Sequence, residues 1–268
     1  MRIRLTALLS ALALLLTLAV PVGAILDGTP DGDAHPFVGG LVTVVPTPDG
    51  PVNVLICSGS MVSATVFVTA AHCTDFLEQE GLPAFVTLDS VFDFLAPITL
   101  FPGTAFTHPQ FGLSFPDSYD VGVVRLSGAG VSLSRYATLP ALGYLEQLST
   151  RRGQQELTFT AVGYGAFGFA SKGVNYEPIY DDVRRMASVK FVGIRGGYAD
   201  QWNLKHSGNT GQGRGSTCHG DSGGPVLAGD TIVAITSFGL APQCAGNGYA
   251  FRADIGVTQD FILGGYDD

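Results

Sequence analysis

Residues 218–225 read CHGDSGGP and place one serine, Ser222, among Gly220, Gly223 and Gly224. A serine hydroxyl is a weak nucleophile until a base takes its proton. The oxygen that becomes negative in the reaction then needs hydrogen-bond donors aimed at it. Glycine lets backbone N–H groups come close to a substrate and adopt unusual dihedral angles. The stretch therefore predicts a nucleophile inside an oxyanion loop; the alternative is an ordinary turn, where the same residue types are common.

Chain order decides which fold can use this serine. The same residues also fit Gly-x-Ser-x-Gly, the nucleophile elbow of α/β-hydrolases, in which the acid and then the histidine follow the serine. All five histidines precede Ser222: His35, His72, His108, His206 and His219. The elbow would lack a base, so an enzyme that uses Ser222 must draw its histidine from upstream.

His72 has the most informative context of the five histidines. It ends the segment VFVTAAHC (66–73), in which a β-prone run leads into two alanines, the histidine and Cys73. A strand would deliver the ring, the small residues would leave room around it, and the cysteine could lock the turn. The alternative is a structural histidine, partly buried and hydrogen-bonded.

A third residue must orient the imidazole and stabilise its charged form. The segment DSYDVGVVRL (117–126) places Asp120 at the start of an apolar strand. A carboxylate buried at that junction is costly unless it is paired, and a histidine donor is a natural partner. We favour Asp120 over its neighbour Asp117; the alternative is an ordinary aspartate at the start of a strand.

The amino terminus has the layout of a secretory signal peptide. Two arginines precede the apolar run Leu5–Val20, and small residues follow up to Ala24. Such a layout predicts cleavage after Ala24, against the alternative of an uncleaved anchor. We expect a secreted, extracellular protein of residues 25–268 with no membrane attachment after the signal is removed.

The charge of the chain excludes one class of binding partner. Two of the 14 basic residues lie in the signal, so the mature chain carries 12 basic and 23 acidic residues, a formal charge of −11. Nucleic-acid binding needs a positive surface, so no nucleic-acid partner is expected. We expect a monomer.

The four cysteines, Cys57, Cys73, Cys218 and Cys244, form an even set in an exported chain, which suggests two disulfides with three possible connectivities. Pairing neighbours closes the shortest loops. The alternative is a zinc site that includes His72 and His219, but no Cys-x-x-Cys spacing supports it. No metal and no cofactor is expected.

Short β-prone runs separated by glycine and proline predict an all-β sandwich or barrel. The runs are 38–45, 52–56, 60–68, 121–126, 157–162, 189–192 and 231–237. Residues 70–79 are expected to form one or two helical turns, and residues 255–263 a short terminal helix. The polar segment 141–155 is the best candidate for a connector between two β halves.

The segments TAAHC, DVGVVRL and CHGDSGGP, in this order, resemble the chymotrypsin/trypsin-like serine endopeptidases, and we interpret the chain as a secreted member of bacterial type. The resemblance extends over the mature chain, from ILDGTPDGDAHPFVG (25–39) through LTFTAVGYG (157–165) to ITSFG (235–239). It implies two antiparallel six-stranded β-barrels around an active-site cleft, with an N-terminal barrel over about 25–140 and a C-terminal barrel over about 156–268.

The resemblance also implies residue roles. His72 would be general base and then acid, Asp120 its orienting partner, and Ser222 the nucleophile. The N–H groups of Gly220 and Ser222 would form the oxyanion hole. The implied disulfides are Cys57–Cys73 and Cys218–Cys244.

Maturation and specificity are further expectations from the resemblance. A free amino terminus at Ile25 would insert and pair with Asp221, so cleavage of the signal alone would activate the chain; the alternative is a short propeptide. Ser216, Thr217, Ser237, Phe238 and Gly239 would bind substrate. Ser216 is no acid, so a neutral side chain before the scissile bond is expected rather than Arg or Lys. Either Gly248 or Tyr249 would line the pocket wall, and His219 would lie at its rim.

The sequence thus predicts a serine endopeptidase acting on protein or peptide substrates through an acyl-enzyme intermediate. Two alternatives remain: a catalytically silent binding protein on the same fold, and an esterase with the same triad. The segment 166–182 has no assigned role and could be a specificity loop or plain surface.

Overall fold

The computed structural model of this chain describes residues 25–92, 97–112, 114–149, 157–172, 175–209 and 214–266. The segment predicted to be a signal peptide, residues 1–24, lies outside this range. No helix in the described part of the chain is both long enough and apolar enough to span a bilayer.

The first half of the chain closes into a six-stranded antiparallel barrel. Its strands follow one another around the barrel in the order β2-β3-β4-β7-β6-β5. The strands are β2 (Val38–Thr47), β3 (Gly50–Met61), β4 (Val66–Thr69), β5 (Ala84–Thr87), β6 (Phe101–Thr107) and β7 (Gly122–Leu126).

The second half forms another closed antiparallel barrel, in the order β8-β11-β12-β15-β14-β13 and back to β8. Its strands are β8 (Thr158–Gly163), β11 (Arg185–Gly193), β12 (Asn203–Ser207), β13 (Pro225–Ala228), β14 (Thr231–Gly239) and β15 (Asn247–Arg252). Both barrels confirm the fold class predicted from sequence. Closure leaves no barrel strand with an unpaired edge.

Alternating burial explains why β11 folds as a barrel strand. In β11 every second residue from Arg185 to Phe191 is buried, while the residues between them are partly exposed. Side chains on a strand point to opposite faces in turn, so this pattern fills one barrel interior and leaves the other face to solvent or to neighbouring segments. One cluster of buried apolar residues fills the first barrel and extends to Val162, Leu227 and Phe251 of the second, and a separate cluster lies within the second barrel.

The described residues include three short helices: α1 (Ala71–Glu80), α2 (Tyr144–Ser149) and α3 (Gly256–Asp260), the last continued by one wider turn, Phe261–Gly265. The expected turns near 70–79 and at the C-terminus are therefore present. The expected single strand over 60–68 is wrong. β3 ends at Met61 and β4 begins at Val66, because the chain reverses between them to pair antiparallel.

The amino-terminal segment belongs to the second barrel, although sequence placed it in the first. Strand β1 (Thr29–Pro30) pairs with β11, and Leu26 bridges to Ser216. A hairpin of β9 (Gly168–Lys172) and β10 (Asn175–Ile179) occupies most of segment 166–182.

Arg184 fastens this amino-terminal segment to both barrels. Its guanidinium is buried and donates from Nε to Asp31 Oδ2 at 2.9 Å. It also donates from Nη1 to the backbone carbonyl oxygens of Val38, at 2.8 Å, and Leu88, at 3.1 Å, in the first barrel. A buried charge needs such partners to be tolerated.

Candidate active site

His72 lies in the first turn of α1, directly after strand β4. Residue Ala70 is extended, with φ −84° and ψ 148°, and the helix begins at Ala71. The disulfide between Cys73 and Cys57 of β3 ties this turn to the first barrel, with a Cα–Cα distance of 6.4 Å. The ring thus projects from a turn held by a strand on one side and a covalent bond on the other.

Asp120 reaches His72 because Gly122 lets strand β7 approach α1. A Cβ on Gly122 would lie 2.7 Å from Thr74 Oγ1 and 2.8 Å from the carbonyl oxygen of Ala70. Only the absence of a side chain at this position allows that contact. Asp120, two residues earlier, is buried, whereas its competitor Asp117 is exposed.

Three groups donate hydrogen bonds to the Asp120 carboxylate. The backbone N–H of His72 donates to Oδ1 at 2.9 Å, the ring Nδ1–H of His72 donates to Oδ2 at 2.9 Å, and the Ser237 hydroxyl donates to Oδ2. A proton on Nδ1 leaves the other ring nitrogen, Nε2, with a lone pair. His72 is therefore held in the tautomer that can accept a proton.

The pKa values of the pair follow from burial and mutual attraction. Burial by itself would lower the pKa of His72, but the charge of Asp120 and its hydrogen bond outweigh this, so the pKa lies above the ordinary 6.5. Burial by itself would raise the pKa of Asp120, but the charge and hydrogen bonds of His72, with the hydroxyl of Ser237, bring the net pKa below 3.8. The pair therefore favours an ionised Asp120.

Ser222 belongs to the loop 218–224 of the second barrel, called the Ser222 loop, which faces His72 and Asp120. The loop packs closely on the His72 segment: a Cβ on Gly223 would lie 2.7 Å from the backbone nitrogen of Ala70. No hydrogen bond joins Ser222 Oγ to His72 Nε2 among the described residues. Catalytic hydrogen bonds are often long in ligand-free enzymes and tighten on substrate binding.

The backbone N–H groups of the Ser222 loop divide into two sets. Those of Asp221, Gly223 and Gly224 donate to carbonyl oxygens at 2.8–3.0 Å. Those of Gly220 and Ser222 have no acceptor in the described part of the chain. Gly220 and Gly223 have φ values of +94° and +80°, a region that other residues rarely adopt. The backbone N–H groups of Gly220 and Ser222, which the sequence analysis expects in the oxyanion hole, are therefore available to a ligand.

Both predicted disulfides are present, and Cys218–Cys244 has a Cα–Cα distance of 5.2 Å. His72 lies near one cysteine pair and His219 near the other, in two separate groups. The sulfur atoms are bonded to one another, so they are not available as thiolate ligands. The zinc interpretation of these cysteines is therefore wrong.

Asp221 is buried behind the loop. Its carboxylate accepts hydrogen bonds from the backbone N–H groups of Cys218 and Gly165, each at 2.8 Å. Burial raises its pKa to about 7, because these two bonds only partly offset the loss of water. Ile25 is also fully buried, but in the full chain its nitrogen is part of the peptide bond with Ala24 and carries no charge.

A pocket beside Ser222 contains all five residues predicted to bind substrate: Ser216, Thr217, Ser237, Phe238 and Gly239. None of the described residues that line it carries a carboxylate or an ammonium group. Gly248 lines the wall, whereas Tyr249 stacks on Phe238 with ring centroids 4.7 Å apart. The geometry thus selects Gly248 from the two alternatives. His219 lies at the rim, and its Nε2 is 2.8 Å from the carbonyl oxygen of Pro242.

Sequence reasoning missed two residues that support this site. His206 is buried behind the pocket, where its Nε2 lies 3.4 Å from Thr217 Oγ1, and burial lowers its pKa to about 4. Ser58 of the first barrel contacts the Ser222 loop with both its backbone and its hydroxyl. Ser58 directly follows Cys57, but nothing in the linear pattern indicates that it meets a loop more than 160 residues away.

A family model described as Trypsin matches residues 43–262, most of the chain. The chain belongs to the trypsin family.

Among curated relatives, the chain is similar to trypsin delta of Drosophila melanogaster, with 24% identity over 264 residues that cover 96% of each protein. It is also similar to brachyurin of Leptuca pugilator, with 29% identity over 192 residues that cover 72% of this chain and 79% of the relative. These relatives come from an insect and a crustacean, so the bacterial type expected from sequence is not supported.

Solved structures agree with the fold. The HL collagenase structure matches with a TM-score of 0.64 and 17% identity, covering 91% of this chain and 99% of that one. The structure of HBP matches with a TM-score of 0.65 and 17% identity, covering 91% and 97%. At such identity the likeness concerns the fold alone. The family and its relatives identify the chain as a serine endopeptidase, a hydrolase that acts on proteins or peptides.

Proposed function

We propose that this endopeptidase is secreted and cleaves peptide bonds through His72, Asp120 and Ser222. The observation that carries the proposal is the double contact of His72 with Asp120, through its backbone N–H and its ring, both at 2.9 Å. That contact keeps a proton on Nδ1 of the ring and leaves Nε2 free to accept one.

In the first half of the reaction, Ser222 Oγ attacks the carbonyl carbon of the scissile bond while His72 Nε2 takes the hydroxyl proton. The carbonyl oxygen becomes negative, and the N–H groups of Gly220 and Ser222 donate to it. His72 then gives the proton to the leaving amine as the C–N bond breaks, which leaves an acyl-enzyme. Water, deprotonated by His72, releases the acid and restores Ser222.

The pocket beside Ser222 supports a preference for neutral side chains before the scissile bond. Ser216 is buried at the pocket, and its hydroxyl already donates to the carbonyl oxygen of Cys244 at 3.0 Å. A buried Arg or Lys side chain would meet no negative partner there and would lose its hydration. The pocket therefore favours apolar or small polar side chains.

The buried carboxylate of Asp221 supports maturation at Ile25. Cleavage after Ala24 would convert the Ile25 nitrogen into an ammonium group, and a buried carboxylate gains stability when such a partner is present. The mature enzyme is proposed to act as an extracellular monomer, with no cofactor and no nucleic-acid partner. Sequencing the mature amino terminus tests the maturation step, which a start well before or after Ile25 would contradict.

The decisive experiment is cleavage profiling of a diverse peptide library with the mature protein beside a Ser222→Ala control. We expect cuts after neutral residues that vanish in the control. Cuts that persist in the control would refute the proposed nucleophile. Hydrolysis of ester substrates without any peptide cleavage would favour the esterase alternative. Failure of a serine-reactive phosphonate to label Ser222 would favour a silent binding protein.

A further inference from the structure

Ser58 lies in the first barrel but holds the Ser222 loop of the second barrel at two points. Its backbone N–H donates to the carbonyl oxygen of Ser222 at 2.8 Å. Its hydroxyl donates to the carbonyl oxygen of Gly220 at 2.9 Å. Ser58 is fully buried, so both bonds form away from water. A residue on strand β3 therefore touches the backbone on both sides of Asp221.

The orientation of the Gly220 N–H depends on the two peptide groups that flank Gly220. In the peptide before it, the carbonyl oxygen of His219 accepts from the N–H of Ala166 at 2.7 Å. The N–H and C=O of a trans peptide point in opposite directions, so this bond turns the Gly220 N–H away from Ala166. In the peptide after it, the Ser58 hydroxyl donates to the carbonyl oxygen of Gly220, and the N–H of Asp221 donates to the carbonyl oxygen of Cys218 at 3.0 Å.

Gly220 needs both restraints because glycine has no side chain to limit its rotation. Its φ of +94° lies in a region that glycine reaches as easily as many others. If the bond from the Asp221 N–H alone held the peptide after Gly220, Gly220 would exchange more readily between backbone conformations, and its N–H would point at the oxyanion for less of the time. Preorganised donors are effective because they need no reorganisation during the reaction.

We propose that Ser58 is a positioning residue whose hydroxyl fixes the backbone of Gly220, so that the Gly220 N–H stays aimed at the developing oxyanion. The inference rests on the proposed function and deepens it. The hydroxyl is itself held, since it accepts a hydrogen bond from the N–H of Tyr164 at 3.0 Å. The Thr69 hydroxyl donates to the Ser58 carbonyl oxygen at 2.8 Å, which keeps the backbone in place when the side chain changes.

The test compares Ser58→Ala with a matched control on the same strand. Ser60 is also buried, and its hydroxyl has no hydrogen-bond partner among the described residues. Removing one oxyanion donor lowers kcat by about 100-fold to 1000-fold. Ser58 acts through Gly220, so Ser58→Ala is expected to lower kcat for a peptide amide by about 10-fold to 100-fold, with KM nearly unchanged. Ser60→Ala should leave both values near those of the wild type.

A second readout separates positioning from general loss of structure. A peptide aldehyde forms a tetrahedral adduct whose oxygen occupies the oxyanion hole, so its affinity should fall in Ser58→Ala by about the same factor as kcat. Active sites are counted with a serine-reactive phosphonate, so unfolded protein does not enter kcat. Ser58→Thr keeps the donor and should retain more of kcat than Ser58→Ala.

Three results would overturn the inference: equal kcat in Ser58→Ala and Ser60→Ala, a loss confined to KM, or equal losses with Thr and with Ala at position 58. Cleavage that persists in Ser222→Ala would instead refute the proposed function itself. The two failures are therefore distinguishable.

Discussion

The buried carboxylate of Asp221 should make stability depend on the chemical state of the Ile25 nitrogen. Its pKa of about 7 lies well above the ordinary 3.8, because burial outweighs two backbone hydrogen bonds. In a chain with extra residues ahead of Ile25, no ammonium group forms at that nitrogen. We predict that such a chain loses stability as the pH rises, whereas a chain that begins at Ile25 does not.

The size of the loss follows from the two pKa values. The folded state keeps the Asp221 proton up to about pH 7, while the unfolded state releases it near 3.8. The free energy of unfolding therefore falls as the pH rises between these values and levels off above the higher one. Each pKa unit corresponds to about 1.4 kcal/mol, so the full loss is about 4 kcal/mol.

The assay is urea unfolding between about pH 4 and about pH 8, in a Ser222→Ala background that prevents self-digestion. The chain with extra residues ahead of Ile25 is called the extended chain. Asp221→Asn in this chain is the reference, because an amide does not titrate. The amide also faces two N–H donors with only one oxygen, which costs stability at every pH. The comparison therefore uses the change with pH and not the absolute stability.

Over this pH range, the free energy of unfolding of the extended chain should fall by about 4 kcal/mol more than that of its Asp221→Asn reference. The chain that begins at Ile25 should lose little until its ammonium group deprotonates. Parallel pH dependence in the extended chain and its Asn reference would refute the assignment of the titration to Asp221. The same loss in the extended chain and the chain starting at Ile25 would refute the pairing.

Three further predictions concern the site and the fold. Asp120→Asn should lower kcat by about 10,000-fold, because the amide donates to Nδ1 of His72 and shifts the ring proton to Nε2. The measurement is steady-state kinetics with a peptide amide, and a loss below about 10-fold would contradict the prediction. In the wild type, kcat/KM should rise with pH, with a midpoint above 6.5, because only neutral His72 accepts a proton and the pKa of His72 is raised above 6.5. A pH–rate profile with its midpoint below 6.5 would contradict this assignment to His72. Arg184→Met leaves His35 as the remaining side-chain partner of the buried Asp31 carboxylate and should cost about 3 kcal/mol in urea unfolding. Arg135→Met breaks an exposed ion pair with Asp230 and a hydrogen bond to the carbonyl oxygen of Ala34, and should cost about 1 kcal/mol; equal costs would refute this reasoning.

The linear sequence indicated the all-β class and proposed His72, Asp120 and Ser222, but it did not indicate the supporting residues Ser58 and His206. Short β-prone runs with turns between them indicated a sandwich or barrel, and the resemblance of three ordered motifs implied two barrels. The absence of any histidine after Ser222 excluded the α/β-hydrolase elbow. These inferences depend on local chemistry, because strand propensity, glycine content and the position of a histidine in the chain are readable without contacts. For the same reason, the helical turns after Ala70 and near the C-terminus were expected.

Long-range contacts decided the remainder. The first residues after Ala24 pair with the second barrel, and Gly248 rather than Tyr249 lines the pocket. Ser58 meets Gly220 across 162 positions of sequence, and Arg184 reaches Asp31 across 153. No local pattern encodes such meetings, because they arise from how two closed barrels pack on each other. The sequence therefore indicates which residue types could carry the chemistry of this site, but their arrangement in space exists only in the folded chain.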